Sequence, residues 1–88
     1  MRRRPHADLL RLLGDPVRLI VFDRLARKPQ TAGELAKQMP VTRTAIVQHL
    51  TILKAAGLVV ATADGRRRIY RDTPAGLTPL KAWLKTLS

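Results

Sequence analysis

The 88-residue sequence has no cysteine and only one residue each of phenylalanine, tyrosine and tryptophan. Without a thiol, the chain cannot form disulfides, cysteine-ligated zinc sites or iron–sulfur clusters, and it cannot sense oxidants through a thiol. So few aromatic side chains also disfavour a sheet that binds RNA by stacking bases. These shortages leave the charged residues as the main source of functional information.

Acidic residues are scarce as well, with six Asp and Glu against seventeen Lys and Arg and a formal net charge of +11. The sequence shows no carboxylate pair placed for general acid–base catalysis, no nucleophile–base set and no glycine-rich phosphate loop. We therefore expect a protein that is not an enzyme and needs no cofactor. The positive excess predicts a polyanionic partner, either nucleic acid or an anionic membrane surface.

Long hydrophobic runs are missing too, because no apolar stretch approaches the ~20 residues that a membrane span needs. Residues 1–14 are arginine-rich and then amphipathic, which superficially resembles a targeting peptide. However, Asp8 and Arg11 interrupt the leucine cluster, and no small-residue cleavage site follows. We interpret this segment as the first helix of a cytoplasmic protein that has no membrane partner.

Proline and glycine divide the first part of the chain into four predicted helices. Gly14 ends the first helix, and Asp15 caps a second that runs to about residue 27. Its inward positions at helical spacing are Val17, Val21, Phe22 and Leu25. Thr31 and Glu34 form a capping-box pattern that opens a short third helix, to about residue 39. The fourth helix is predicted between Thr42 as N-cap and Gly57 as left-handed C-terminal cap.

After Gly57 the apolar period changes from 3.6 to 2, which predicts a strand over residues 58–62 paired with residues 67–71. Asp64-Gly65 is the predicted two-residue hairpin loop. A last helix, with Thr78 as its cap, carries one apolar stripe of Leu77, Leu80, Trp83, Leu84 and Leu87, and residues 74–77 form a possible separate turn before it. The order predicts one domain over residues 1–88, mainly α with a small β-hairpin (α+β), namely a winged helix-turn-helix.

The fourth helix is the candidate DNA-reading helix. At 100° per residue its apolar arc holds Ala45, Ile46, His49, Leu50, Ile52, Leu53 and Ala56, and its outer arc holds Arg43, Thr44, Val47, Gln48, Thr51 and Lys54. Arg43 can fork onto guanine, Gln48 can pair with adenine, and Val47 or a threonine methyl can touch thymine. An ordinary solvated helix face has a similar pattern. The fourth helix follows a capping-box helix and precedes a basic hairpin, and this position favours DNA binding over a merely solvated face. Thr42, at the start of the helix, is included in the candidate site.

The hairpin carries the second candidate contact set, Arg66, Arg67, Arg68 and Arg71. Such arginines suit phosphate contacts or a reach into the minor groove. Charged edge strands that discourage sheet-to-sheet aggregation are the alternative. Arg2, Arg3 and Arg4 form a basic arm that either adds nonspecific phosphate contacts or has no role.

His6 and His49 are the only histidines, and neither lies near an acidic cluster. Because His49 falls on the apolar arc of its helix, we expect a hydrogen-bonded core histidine rather than a metal ligand. A DNA contact is the lesser alternative for His49. No metal site is predicted.

Four segments in this order resemble the ArsR/SmtB-type bacterial transcriptional repressors: residues 13–19, 33–36, 49–59 and 65–70. The resemblance extends from Leu9 to Leu84 and implies a homodimeric winged helix that binds a palindromic operator and usually represses. Metal-sensing members carry Cys-x-Cys after the Glu-Leu of the short helix, or His and Asp ligands on the last helix. Here Ala36 and Gln38 stand at the first positions, and residues 79–88 contain no His, Asp, Glu or Cys. The sequence is therefore more similar to a metal-independent branch.

The leading hypothesis is a dimeric repressor specific for double-stranded DNA, with an effector that the sequence does not identify. Its predicted dimer contacts are the apolar residues of the first and last helices: Leu9, Leu13, Leu80, Trp83, Leu84 and Leu87. The alternative is a winged helix that docks a protein or binds nucleic acid without sequence preference.

Overall fold

The computed structural model describes residues 4–88, so Arg2 and Arg3 of the predicted basic arm lie outside the described residues. The elements in chain order are α1 (Pro5–Leu13), α2 (Pro16–Arg27), α3 (Ala32–Ala36), α4 (Arg43–Ala55), β1 (Val59–Asp64), β2 (Arg67–Asp72), a 3₁₀ turn (Pro74–Leu77) and α5 (Thr78–Lys85). Strands β1 and β2 form an antiparallel hairpin, the wing. This is the predicted winged helix-turn-helix order.

The predicted caps set where the helices begin. Asp15 accepts a hydrogen bond from the Arg18 N–H at 3.0 Å, and Thr42 accepts one from the Ala45 N–H at 3.1 Å. Both halves of the capping box at α3 are formed. At the other end of α4, Gly57 has a φ of 76°, as predicted for a left-handed cap. Helix α3 ends at Ala36, earlier than predicted, because the Gln38 N–H turns to the Leu35 carbonyl at 3.0 Å in a tightened 3₁₀-type bond.

The hairpin loop and both ends of the last helix also differ from the prediction. Asp64 pairs with Arg67 in the hairpin, so the loop is Gly65-Arg66 and Asp64 belongs to β1. Gly65, with a φ of 62°, takes the first loop position, the glycine placement of a type II′ turn. Thr78 is the first residue of α5 and makes no side-chain cap, because the 3₁₀ turn leads directly into the helix. Leu87 lies beyond Lys85, the last residue of that helix.

The core lies between α2, α3, α4 and the base of the wing. Its fully buried side chains are Val21, Leu25, Leu35, Ile46, Leu50, Leu53, Leu58 and Val59. Val17 packs only partly against this core. Ile52, predicted on the apolar arc, is 40% exposed, because at ~100° per residue it lies roughly 130° from the buried stripe of α4.

Two backbone contacts fix the wing and the last helix relative to the core. Gln30 and Tyr70 exchange backbone hydrogen bonds of 3.1 and 2.9 Å, which holds β2 beside the start of α3. Gly76 packs so closely on the end of α4 that a Cβ there would lie 2.3 Å from the Gly57 carbonyl oxygen. Among residues 4–88, no helix has the length and hydropathy to cross a membrane.

Candidate nucleic-acid interface

The outer face of α4 is presented to solvent by the burial of the opposite face. Ile46, Leu50 and Leu53 are fully buried, whereas the predicted reading residues are exposed, namely Thr42, Arg43, Thr44, Val47, Gln48 and Thr51, together with Lys54. The Thr51 hydroxyl donates to the Val47 carbonyl at 2.9 Å, so its single O–H donor is used within the helix. The burial pattern therefore fixes which side of α4 is available to a partner.

The wing places its arginines at and beside the hairpin loop. Arg66 lies in the loop, and Arg67 and Arg68 begin β2 opposite Asp64 and Ala63. All three arginines are exposed, as is Arg71 further along the strand. A short, twisted ribbon with cations at its tip has the shape and charge to follow a nucleic-acid backbone.

One open groove of about 430 Å³ brings the two predicted contact sets together. Arg43 and Val47 come from α4, Arg66 to Arg68 come from the wing, and Thr31 to Gly33 come from the start of α3, with Tyr70 completing the lining. Gln48 and Thr51 lie on the same helix but do not line this groove. The fold thus places the first turn of α4 and the wing arginines around a shared space.

A carboxylate that the sequence pattern did not place in the site contacts one of these arginines. Glu34, the only glutamate of the chain, accepts a hydrogen bond from Arg67 Nη2 at 2.9 Å through the same Oε1 that accepts the Thr31 N–H at 3.1 Å. The backbone bond from Thr31 is the main cause of a lowered pKa at Glu34, with the Thr31 hydroxyl and Arg67 adding to it. No local pattern reveals this pair, because 33 residues separate its members.

A second polar contact joins α2 to α4. Arg18 Nε lies 3.4 Å from His49 Nδ1, and Arg18 Nη1 donates to the Leu12 carbonyl at 3.1 Å. His49 is half-buried and faces α2, away from the exposed face of α4. This placement agrees with the expectation of a hydrogen-bonded histidine on the apolar side of the helix.

Potential metal ligands are dispersed. Within residues 4–88, no three His, Asp or Glu side chains lie close enough together to hold a metal ion. Gln38, at one of the positions where metal-sensing members carry cysteine, accepts a hydrogen bond from Arg24 Nη1 at 2.9 Å and donates to Gln30. An amide network therefore occupies that position in this chain.

The predicted dimer residues differ in how much of their surface is exposed. Leu9 is only 7% exposed and belongs to the core of the single chain, and Leu13 and Leu80 are half-buried against it. Trp83 is half-buried and stacks on His6, with ring centroids 5.1 Å apart and an interplanar angle of 7°. Leu84 and Leu87 remain 52% and 66% exposed. Leu10, which the prediction did not include, is 45% exposed.

Comparison with known proteins gives the fold and interface a context. A family model described as a helix-turn-helix domain matches residues 13–61. The HTH-type transcriptional regulator Rv2034 of Mycobacterium tuberculosis is 41% identical over 81 residues, which cover 86% of this chain and 76% of that protein. The HTH-type transcriptional repressor SmtB of the same species is 39% identical over 64 residues, 73% of this chain. The chain spans 47% of the length of SmtB.

Solved structures show the same architecture. An ArsR-like transcriptional regulator from Rhodococcus sp. RHA1 superposes with a TM-score of 0.82 at 35% identity, covering 94% of this chain and 78% of that one. A possible transcriptional regulator for arsenical resistance gives a TM-score of 0.79 at 40% identity, covering 89% and 81%.

Together, the winged fold, the exposed helix and the relatives define a DNA-binding transcriptional regulator rather than an enzyme. The chain belongs to the ArsR/SmtB family of winged helix-turn-helix regulators. Regulators of this family bind double-stranded DNA, which is one of the two kinds of polyanionic partner that the charge predicts.

Proposed function

We propose that the chain is a homodimeric repressor that binds a palindromic operator in the cytoplasm, and that residues 1–88 act as one DNA-binding domain. The observation that carries the proposal is the groove in which the first turn of α4 meets the wing arginines. A helix that enters the major groove would bring the wing down onto the adjacent backbone. Both contact sets then engage one half-site.

The two sets have different roles in this proposal. The base-reading set on α4 is Thr42, Arg43, Thr44, Val47, Gln48 and Thr51, and the backbone set on the wing is Arg66, Arg67 and Arg68. In the reading set, Arg43 offers a planar fork for guanine and Gln48 an amide for adenine. Arginines of the wing neutralise phosphates, which raises affinity without reading sequence.

Dimerisation would duplicate this half-site about a twofold axis. Leu84 and Leu87 are the predicted contacts that leave most area exposed, and Trp83 lies on α5 beside Leu84. Two identical reading helices require half-sites one DNA turn apart, about 34–36 Å, or a multiple of it. An inverted repeat follows from that symmetry.

We also propose that this regulator does not respond to a metal. The two positions of the cysteine motif hold Ala36 and Gln38, and α5 carries no metal-ligating side chain. Adding zinc, cadmium or arsenite to the protein–operator complex should leave its dissociation constant unchanged. A stoichiometric release of DNA by any of them would contradict this part of the proposal.

The experiment that tests the proposal is a selection from a random pool of DNA duplexes, followed by competition against a scrambled duplex of equal composition. We expect an enriched inverted repeat and a preference of at least about 10³ over the scrambled duplex. Equal affinity for both duplexes would identify a nonspecific module and overturn the repressor proposal.

A further inference from the structure

Glu34 is a carboxylate fixed in place at the edge of an otherwise cationic groove. Its Oε1 is anchored by the Thr31 N–H at 3.1 Å, while the Glu34 N–H is held by Thr31 Oγ1 at 3.1 Å. Arg67, which lines the groove, donates Nη2 to the same Oε1 at 2.9 Å. The capping box therefore holds a negative charge against one wing arginine.

This ion pair restricts what Arg67 can offer to DNA. A bidentate grip on a phosphate uses two neighbouring N–H groups of the guanidinium fork. One Nη2 N–H is directed to Glu34, so a phosphate grip that needs this N–H must first break the contact, and the carboxylate offsets the arginine charge. Asp64 lies opposite Arg67 in the hairpin register, but its carboxylate forms no ion pair with Arg67 in the described residues.

We propose that Glu34 is a positioning residue that holds Arg67 along α3 and so competes with DNA phosphate for it. The proposal rests on the DNA-binding function proposed above and adds a residue that lowers affinity. Phosphate contacts are independent of sequence, so the competition weakens binding to every duplex alike. For a chain of net charge +11, the effect is to limit how tightly the wing holds nonspecific DNA.

The variant that isolates this effect is Glu34→Gln. Glutamine also serves at the third helical position of a capping box, so the start of α3 is preserved while the charge is removed. The matched control is Asp23→Asn, which removes one carboxylate and one ion pair, with Arg27 at 3.4 Å, on the exposed side of α2. Asp23 does not line the groove.

Glu34→Gln should bind both the operator and a random duplex more tightly, with their ratio unchanged. One additional phosphate contact steepens the salt slope by about 0.9, so the gain should be about 3.5-fold larger at 50 mM than at 200 mM salt for each wing engaged. Asp23→Asn should stay within about twofold of the parent protein at both salt concentrations, because its charge lies away from the groove.

A double variant shows whether the gain acts through the wing. Adding Arg67→Ala to Glu34→Gln should remove the gain in affinity and the added salt dependence. Unchanged binding by Glu34→Gln, with its thermal unfolding curve intact, would overturn the competition. Weaker binding would also overturn it and would instead assign Glu34 as a support that DNA binding needs. A parent protein that binds no duplex would overturn the proposed function itself, and the two failures are therefore distinguishable.

Discussion

Single capping residues set where three of the helices begin, and short sequence patterns predict them. Asp15, Thr31 and Thr42 each cap a helix by a bond to the backbone three residues ahead, so a pattern of four residues suffices to predict them. Glu34 belongs to the same short pattern, and the sequence predicted its role in the capping box. Its contact with Arg67 depends on how the wing folds back over α3, which no local pattern contains.

The lowered pKa of Glu34 predicts an acid-sensitive contribution to stability. A carboxylate whose pKa is lower in the folded state stabilises the fold at pH values above its ordinary pKa, about 4.3. That contribution is lost as the pH falls through the lower pKa of the folded state. The lowered pKa of Asp15, caused mainly by the Arg18 N–H, adds to the loss in the same direction.

Urea unfolding at several pH values would check this prediction. Between about pH 5 and pH 3, the parent protein should lose more unfolding free energy than Glu34→Gln, which keeps the contribution of Asp15 but not that of Glu34. Parallel curves for the two proteins would show that Glu34 titrates alike in the folded and unfolded states.

The close packing of Gly76 against Gly57 predicts that a larger residue at position 76 destabilises the fold. In Gly76→Ala, the new Cβ would lie 2.3 Å from the carbonyl oxygen of Gly57 and 3.0 Å from its carbonyl carbon, and these backbone atoms cannot rotate away as a side chain could. We expect a loss of about 1–3 kcal/mol in unfolding free energy, as for other overpacked sites. Gly33→Ala is the control, because its Cβ would meet only Thr31 Oγ1 at 3.9 Å. That change should be neutral or stabilise α3 by up to about 1 kcal/mol.

At the scale of elements, the helices and the hairpin differ in how well sequence specifies them. The apolar stripe of α4 placed Ile46, Leu50 and Leu53 correctly, because helical spacing alone determines which positions share a face. The hairpin loop was predicted one residue too early, since Asp64-Gly65 and Gly65-Arg66 both fit a two-residue loop. The 3₁₀ turn before α5 likewise displaced the predicted cap at Thr78.

The wing as an element should contribute affinity rather than sequence preference. Arg68→Ala should keep the selected motif, weaken binding to all duplexes and lower the salt slope by about 1 per wing engaged. Titrations at several salt concentrations would measure that slope. Arg11→Ala, which removes an equal charge from α1 outside the groove, is the control and should leave the slope unchanged. A motif that changes with Arg68→Ala would show that this arginine reads the minor groove.

For the whole molecule, the apolar surface left on α5 predicts a dimer. Leu84→Ala should weaken dimerisation by roughly 1–1.5 kcal/mol per protomer, since about half of that side chain remains to be buried. Trp83→Ala should also weaken it, although the loss of the His6 stack affects the protomer as well. Sequence periodicity predicted these contacts but also assigned Leu9 to the interface. A leucine on an amphipathic helix has the same spacing whether the core of the same chain or a partner chain covers it.

Sedimentation at micromolar concentration would test the dimer. Leu19→Ala is a matched control, because Leu19 is 49% exposed but lies on α2 rather than on the terminal helices. We expect dimers for the parent protein and for Leu19→Ala, and a measurable monomer fraction for Leu84→Ala. A monodisperse monomer that retains full affinity for the operator would refute the dimer.

We propose that α4 reads the bases while the wing holds the backbone. DNA selection repeated with Arg43→Ala, Gln48→Ala and Arg68→Ala separates these two roles. Losing a bidentate base contact costs about 1–3 kcal/mol and relaxes the preference at that base. We therefore predict that each helix variant flattens specific positions in both half-sites, whereas Arg68→Ala returns the parent motif. Helix variants that keep the full motif, together with a wing variant that loses it, would show that the wing and not α4 reads the bases.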